Sequence, residues 1–176
     1  MTEVFEIYSV TTARLLLRPL ARDDGLELAR IGTDEVFEFL PEIDTPFDAA
    51  AWIERKIKRE NPPLCHVMEE RRSSAVIGFC QVQHAVGDFE NKFVYLVGFW
   101  LGREFWGRGY ATEAVLEILN FMDARWIRRR TFAKVHPDNI ASCRVLEKCG
   151  FERCSPTPIY LDARDGDRHY ERSAPP

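Results

Sequence analysis

The sequence predicts one α/β (α+β) domain with a mixed sheet, and three observations lead to that class. Short runs rich in β-branched and aromatic residues alternate with segments in which apolar residues recur at helical spacing. Hydrophobic residues make up 45 % of the chain and charged residues 30 %, which is ordinary globular usage. No internal repeat, low-complexity segment or linker divides residues 1–176, so a single domain is the economical arrangement.

The first third of the chain predicts one strand followed by two helices. Residues 14–19 form the strand, which the proline at its end stops. The acidic pair at positions 23 and 24 suits the start of a helix that runs to about residue 31. Asp48 is expected to cap a second helix through residue 57. Between the helices, an apolar and poorly periodic stretch is expected to lie over a pocket: Phe37, Phe39, Leu40 and Phe47.

From residue 64 onward the pattern changes to strands with tight turns. The expected strands are residues 65–69, 75–83, Phe93–Leu101 and Thr131–Val135. Turns are expected at residues 71–74 and 87–88. Asp165-Gly166 predicts a final hairpin between residues 159–163 and 168–172.

Two more helices lie in this half of the chain. Residues 109–124 place their apolar side chains on one stripe, which is typical of a helix packed on a core. Residues 140–149 form a shorter helix, and Gly150 follows it where a left-handed residue is favoured.

A glycine-bearing loop joins the strand Phe93–Leu101 to the longer helix. The first turn of a helix has backbone N–H groups without intrahelical partners, and the helix dipole adds partial positive charge there. Gly107 and Gly109 allow the backbone to approach a phosphate closely. The loop therefore predicts an anion site, with Arg103 or Arg108 at its rim. Because the chain lacks a Gly-Lys-Ser/Thr loop and the third glycine of the dinucleotide fingerprint, nucleotide cleavage and NAD binding are not indicated.

Four segments resemble the GNAT acetyltransferases, in particular the branch typified by the RimJ and RimL ribosomal-protein N-terminal acetyltransferases. Two are long and specific: Trp106-Gly107-Arg108-Gly109-Tyr110-Ala111-Thr112-Glu113-Ala114 and Asn139-Ile140-Ala141-Ser142-Cys143-Arg144-Val145-Leu146-Glu147-Lys148-Cys149-Gly150-Phe151. The other two are residues 12–19 and 76–79, so the resemblance spans nearly the whole chain. Glu104 stands where many members have Gln or Arg, and Arg103 replaces a commoner proline.

The resemblance implies a GNAT fold and acetyl-CoA as a co-substrate. Its sheet is mostly antiparallel and seven-stranded, with about four flanking helices and two splayed central parallel strands, here Phe93–Leu101 and Thr131–Val135. The pantetheine arm lies between those strands, and the pyrophosphate lies on backbone amides of residues 107–112. The implied coenzyme-binding residues are Phe99, Trp100, Leu101, Trp106, Gly107, Arg108, Gly109, Tyr110, Ala111, Thr112, Asn139 and Ser142.

The resemblance also implies catalytic roles. Ser142 is the candidate proton donor to the leaving thiol, since the tyrosine that the family more often uses is missing between residues 131 and 150. Asn139 and Ser142 equally suit the cap and first turn of the short helix, and one residue can do both. No general base stands on Phe93–Leu101. Near the preceding turn, three residues suit either a base acting through water or a solvated turn: His84, Asp88 and Glu90.

The missing base favours a weakly basic acceptor. An α-amine has a pKa of roughly 7.7 to 8.0, whereas a lysine at about 10.4 needs more help to deprotonate. We therefore expect an N-acetyltransferase acting on a protein or peptide N-terminal α-amine. A small-molecule N-acetyltransferase and a non-catalytic CoA-binding sensor are the alternatives. Segment 34–44 contains five acidic residues, which indicate either a binding site for a cationic acceptor or an ordinary solvated face: Asp34, Glu35, Glu38, Glu42 and Asp44.

Composition argues against several other partners. The five cysteines are irregularly spaced without a Cys-x-x-Cys pair, and His66, His136 and His169 show no ligand spacing, so no metal is expected. The net charge of −4 argues against direct nucleic-acid binding. No apolar run approaches ~18 residues and no targeting segment is evident, which favours a cytoplasmic protein without a membrane partner. A monomer and a homodimer both remain open.

Overall fold

An eight-stranded sheet organises the part of the chain that the computed structural model describes, which is residues 8–40, 42–58, 64–86, 93–125, 130–155 and 166–173. The strands are Val10–Thr11 (β1), Leu15–Pro19 (β2), Leu64–Glu70 (β3), Ala75–Val86 (β4), Phe93–Leu101 (β5), Thr131–Val135 (β6), Glu152–Cys154 (β7) and Arg168–Arg172 (β8). Their spatial order is β1-β2-β3-β4-β5-β6-β8-β7. Only the β5–β6 pair is parallel among the described strands, so the expected mixed, mostly antiparallel sheet is confirmed.

The strand count differs from the expected seven at two short strands. Both β1 and β7 are too short for an alternating pattern to be recognised, since they contain two and three residues. The expected strand at residues 159–163 and the turn at residues 87–88 lie outside the described residues. Gly166, two residues before β8, has the positive φ, +98°, of a turn residue.

Five α-helices flank the sheet within the described residues: Gly25–Ile31 (α1), Asp34–Phe37 (α2), Ala49–Ile57 (α3), Tyr110–Arg125 (α4) and Ile140–Lys148 (α5). We expected about four, and the additional one is α2, a single turn that ends at Phe37, where the poorly periodic apolar stretch begins. The cap at Asp48 is confirmed, because its side chain accepts a hydrogen bond from the Ala51 N–H at 3.0 Å. Gly150 has a φ of +81° and ends α5 as expected.

The helices cover opposite faces of the sheet. Helices α4 and α5 pack on one face, where the fully buried Leu119 lies in the larger core. Helices α1 to α3 pack on the other face around Trp52 and Phe79. Successive side chains of a strand point to opposite faces, and accordingly Leu101 of β5 joins the first core and Trp100 the second.

The two parallel strands separate after a short ladder. Strand β5 pairs with β6 at Tyr95↔Thr131 and Leu96↔Phe132, and the described ladder ends there. Beyond it, residues 97–101 continue to pair with β4, and residues 133–135 pair with β8. A gap, called the interstrand cleft below, therefore lies between residues 97–101 of β5 and residues 133–135 of β6. The resemblance implied such a splay.

All five cysteines are free thiols. Four are buried, Cys65, Cys80, Cys143 and Cys149, and Cys154 is half-buried. Burial raises the pKa of Cys80 and raises that of Cys149 to about 11. The four buried cysteines behave as small core hydrophobes.

The described part of the chain contains neither a membrane-spanning helix nor a metal-binding group of side chains. No described helix combines the length and the apolarity that a bilayer span requires. The same residues contain no group of three or more His, Cys, Asp or Glu side chains placed to hold a metal ion.

Candidate functional site

The loop between β5 and α4, residues 102–109, is shaped by two left-handed glycines. Gly107 and Gly109 have φ values of +72° and +79°, a region that L side chains rarely adopt. These are the two glycines that the sequence placed at the anion site. We call residues 102–109 the glycine loop.

The glycine loop leads directly into the N-terminus of the sixteen-residue helix α4, which is the positive end of its dipole. The first bond of α4 runs from the Glu113 N–H to the Gly109 carbonyl, at 3.1 Å. The N–H groups of Tyr110, Ala111 and Thr112 precede that bond and so lack a partner within the helix. Since the loop directly follows Leu101, these donors lie close to the C-terminal end of β5, the strand that forms one wall of the interstrand cleft. Two glycines and three donors without a partner in the helix fit a diphosphate group.

Arg14 anchors the glycine loop to the edge of the sheet. Its guanidinium donates to the Arg108 carbonyl at 2.9 Å and forms an ion pair with Glu113 at 2.6 Å. It also lies over the Tyr110 ring, 4.5 Å from the centroid. Glu113 further accepts a hydrogen bond from the Thr12 hydroxyl. Sequence analysis named these residues only as members of the segments that resemble the family. No local sequence pattern indicates a contact between residues about a hundred positions apart.

The two unusual residues of the loop also have partners. Glu104 accepts a hydrogen bond from Arg30 of α1 at 3.0 Å. Its own backbone N–H and then Arg30 hold the pKa of the Glu104 carboxyl below its ordinary value. Arg103 pairs with Glu35 of α2 at 2.6 Å and lies over the ring of Trp106. Both departures from the family pattern thus attach the glycine loop to the helices on the opposite face.

A basic cavity of about 490 Å³ adjoins the loop. It is lined by Ala13, Arg14, Glu70, Arg71, Arg72 and Tyr110. The Tyr110 hydroxyl donates a short hydrogen bond to Glu70, and this bond raises the pKa of Tyr110. For Glu70 the hydrogen bonds from Ser73 and Tyr110 lower the pKa, with smaller contributions from Arg108 and Arg72.

The implied pantetheine strand offers its backbone to the cleft. The Trp100 side chain is buried on the opposite face, where its ring meets that of Phe37 edge-on with centroids 5.1 Å apart. Leu101 is buried in the core beneath α4, and Phe99 packs against that core. Strand β5 pairs with β4 along one edge, so the backbone groups on its other edge line the cleft beyond Leu96. Trp106 closes this end of β5 by donating its indole N–H to the Leu101 carbonyl at 2.8 Å.

Asn139 and Ser142 lie on the β6 side of the cleft. The Asn139 side chain accepts a hydrogen bond from the Ser142 N–H at 3.0 Å, so the expected cap of α5 is present. Both side chains are half-buried. The Ser142 hydroxyl is not used by this bond, because the cap engages only the backbone.

The candidate bases and acidic residues are dispersed. His84 lies on β4 opposite Tyr95, whereas Asp88 and Glu90 lie outside the described residues. All five acidic residues of the 34–44 segment are exposed. Two of them already have cationic partners, since Glu35 pairs with Arg103 and Asp44 with Arg55. Those two fit the interpretation as a solvated face.

Sequence reasoning missed a contact at the end of β6. His136, for which the sequence indicated only the absence of metal-ligand spacing, stacks on the ring of Phe39 with centroids 5.1 Å apart. The segment around Phe39 was expected to cover a pocket, and this contact brings it to the end of the cleft. Only the position of His136 directly after a strand indicated that it lies near the site.

Comparisons with known proteins agree with this arrangement. The family model described as Acetyltransferase (GNAT) domain matches residues 14–152. The chain is 30 % identical over 149 residues to the uncharacterized N-acetyltransferase p20 of Bacillus licheniformis, which covers 81 % of each chain. A putative ribosomal-protein-serine acetyltransferase from Vibrio cholerae has a similar fold, with a TM-score of 0.70, 18 % identity and coverage of 94 % of this chain and 97 % of that one.

A third similar protein was solved with ligands. It is the Microcin C7 self immunity acetyltransferase MccE in complex with acetyl-CoA and AMP, with a TM-score of 0.70 and 21 % identity. The match covers 92 % of this chain and 93 % of that chain. At these identities the two structures establish the fold alone.

Proposed function

The chain belongs to the GNAT acetyltransferase family, and on that premise we propose that it transfers the acetyl group of acetyl-CoA to the N-terminal α-amine of a protein or peptide. The use of acetyl-CoA is supported by the glycine loop, whose two left-handed glycines precede α4 beside the interstrand cleft. The choice of an α-amine as the acceptor is supported by the absence of a carboxylate or histidine from the sequence of β5.

In the proposed complex, the backbone holds the coenzyme. Donors from Gly107 through Thr112 bind the diphosphate, and the dipole of α4 adds attraction. The exposed Arg108 side chain adds positive charge beside it. The pantetheine follows the free edge of β5 at Phe99, Trp100 and Leu101, and the other wall carries Asn139 and Ser142. Trp106 keeps the end of that edge in place.

Acetyl-CoA supplies an activated thioester, and the protein holds it in line with the amine. Backbone N–H groups on the free edge of β5 stabilise the negative charge that builds on the carbonyl oxygen during attack. Ser142 donates a proton to the leaving sulfur and regains one from the solvent that its half-buried side chain contacts, while the attacking amine releases its proton to solvent. The leaving thiol has a pKa of about 8.5, so it requires only weak assistance.

The acceptor assignment follows from proton affinity. With a pKa of roughly 7.7 to 8.0, a substantial share of an α-amine is neutral near pH 7.5, whereas a lysine at about 10.4 is neutral in roughly one molecule per thousand. A site without a base on β5 therefore favours the α-amine. Similarity of fold to a putative ribosomal-protein-serine acetyltransferase supports the same choice.

A panel of amines tests the proposal. Release of coenzyme A thiol is measured with three acceptors: a peptide with a free N-terminus and no lysine, the same peptide N-acetylated and carrying one lysine, and a polyamine. We expect kcat/KM for the free N-terminus to exceed the other two by at least about tenfold, because more of that amine is neutral. A fully blocked peptide is the control for hydrolysis.

Two results would reject the α-amine assignment. Preferential acetylation of the polyamine favours a small-molecule enzyme, an alternative that the similarity to a self immunity acetyltransferase supports. Calorimetric binding of acetyl-CoA without thiol release for any amine favours a sensor.

Ser142→Ala tests the proposed proton donor. We expect kcat to fall about tenfold, a modest effect because the leaving thiol is acidic, while KM for acetyl-CoA changes less, because backbone groups supply most of the proposed coenzyme contacts. The cap bond to Asn139 uses the backbone N–H of residue 142, so the substitution leaves α5 capped. Asn139→Ala is the reference for loss of the cap, since it is expected to lower stability by about 1 kcal/mol, and urea unfolding of both variants shows whether α5 stays capped in Ser142→Ala. A wild-type kcat for Ser142→Ala refutes the role.

A further inference from the structure

His136 directly follows Val135, the last residue of β6, and so lies at the open end of the interstrand cleft. Its side chain is 34 % exposed, which leaves it accessible to a ligand. Asn139, on the coenzyme wall of the proposed complex, is only three residues further along the chain.

The segment around Phe39 bridges the ends of the two separated strands. Phe39 stacks on His136 after β6, with centroids 5.1 Å apart and an interplanar angle of 26°. Phe37, two residues earlier, packs edge-on against Trp100 of β5 at 5.1 Å. Because Trp100 belongs to the core under α1 to α3, the bridge lies on the face opposite α4. An acceptor that enters from that face meets His136 before the thioester.

The imidazole of His136 is held in one orientation. Phe39 fixes the plane of the ring, and the Asp138 N–H donates a hydrogen bond to Nδ1 at 3.3 Å. The Asp138 carboxylate lies 3.8 Å from Nδ1, beyond hydrogen-bond distance, so it does not compete with that N–H. A neutral imidazole carries one proton, and a nitrogen that accepts a hydrogen bond does not carry it. The proton therefore resides on Nε2, for which no described residue is a hydrogen-bond partner. His136 thus presents an N–H donor, not a base, to the acceptor side of the cleft.

We propose that His136 is a specificity-determining residue whose Nε2–H donates to the carbonyl oxygen next to the reacting amine. This inference rests on the proposed function. The N-terminal residue of a peptide carries its carbonyl on the same carbon as the α-amine, whereas a lysine side chain and a polyamine have no oxygen near the amine. A donor at this position orients the α-amine toward the thioester and selects it over other amines.

The substitution His136→Phe removes the donor and keeps an aromatic ring against Phe39. We expect kcat/KM for the free N-terminal peptide to fall about tenfold, mainly through KM, because one hydrogen bond is lost. KM for acetyl-CoA is expected to stay at the wild-type value. His136→Gln, which restores an N–H donor, is expected to recover part of the loss.

A second variant separates the donor from the stack. Phe39→Ala leaves the imidazole intact but removes the surface that fixes its plane, so it is expected to raise the peptide KM and leave acetyl-CoA binding unchanged. Calorimetric titration with acetyl-CoA establishes for each variant that the coenzyme site is intact.

Three outcomes overturn the inference: a wild-type peptide KM in His136→Phe, equal losses in His136→Phe and His136→Gln, or a matching rise in KM for acetyl-CoA. Each of them leaves the proposed function standing if the wild-type protein acetylates the free N-terminus. A wild-type protein that acetylates only lysine or polyamine refutes the proposed function, and this inference fails with it.

Discussion

Replacing Gly109 with valine is expected to lower kcat/KM for acetyl-CoA by about 100-fold while the fold is retained. Gly109 has a φ of +79°, where a side chain costs about 1–2 kcal/mol, and a branched one is less tolerated still. A Cβ there would lie at an ordinary contact distance, 3.5 Å, from the Arg14 guanidinium that holds the loop, so the backbone strain carries the effect. If the loop relaxes to relieve that strain, the donors at the start of α4 move. A total loss of about 2.8 kcal/mol in coenzyme binding corresponds to the 100-fold effect.

Gly166 provides a matched control for this substitution. Its φ is +98°, and an added Cβ would meet no atom within 4 Å. Gly166→Val is therefore expected to lower the free energy of unfolding through backbone strain alone and to leave the acetyl-CoA Kd unchanged. Calorimetry on both variants, together with urea unfolding, separates strain from binding. Wild-type affinity in Gly109→Val would contradict the assignment of the glycine loop.

Acidification from pH 6.5 to pH 4 is expected to lower the free energy of unfolding by roughly 3 kcal/mol through His66 alone. His66 is 2 % exposed, and desolvation lowers its pKa from 6.5 to about 4. His66 therefore becomes protonated near pH 6.5 in the unfolded chain but only near pH 4 in the folded chain. The stabilisation is complete above pH 6.5 and is lost progressively as the pH falls toward 4.

His66→Gln isolates this contribution from the titration of carboxyl groups. Nε2 of His66 donates to the Tyr8 carbonyl at 2.9 Å, and an amide retains a donor without titrating. We expect the loss of stability between pH 6.5 and pH 4, measured by urea unfolding, to be smaller in the variant by roughly 3 kcal/mol. Parallel pH curves for the two proteins would show that His66 titrates normally.

The sequence predicted the elements with strong local signals. Strands β5 and β6 begin and end at the expected residues, because aromatic and β-branched runs stop at a glycine or at His136-Pro137. The single turn α2 could not be predicted, since four residues are too few for apolar positions to recur at helical spacing. The position of β8 between β6 and β7 depends on pairing between distant segments, which no local pattern encodes.

The residues of the candidate site also divide into those that the sequence identified and those that only the structure reveals. Gly107 and Gly109 could be identified from the sequence because a glycine before a helix allows a positive φ, which other residues rarely adopt. The Arg14 anchor and the contact between Phe39 and His136 join residues about a hundred positions apart, so only the folded chain reveals them. Trp100 also needed the structure, because its sequence position beside Phe99 does not tell which face its ring occupies.

The buried cysteines make the acetyl-transfer reaction easy to follow colorimetrically. Disulfide reagents react with thiolates, and the pKa values of Cys80, Cys149 and Cys154 are all raised by burial. Cys154 is the one thiol with partial solvent exposure. An aromatic disulfide added during turnover should therefore titrate the free coenzyme with little background from the protein, and the folded enzyme should tolerate the reagent.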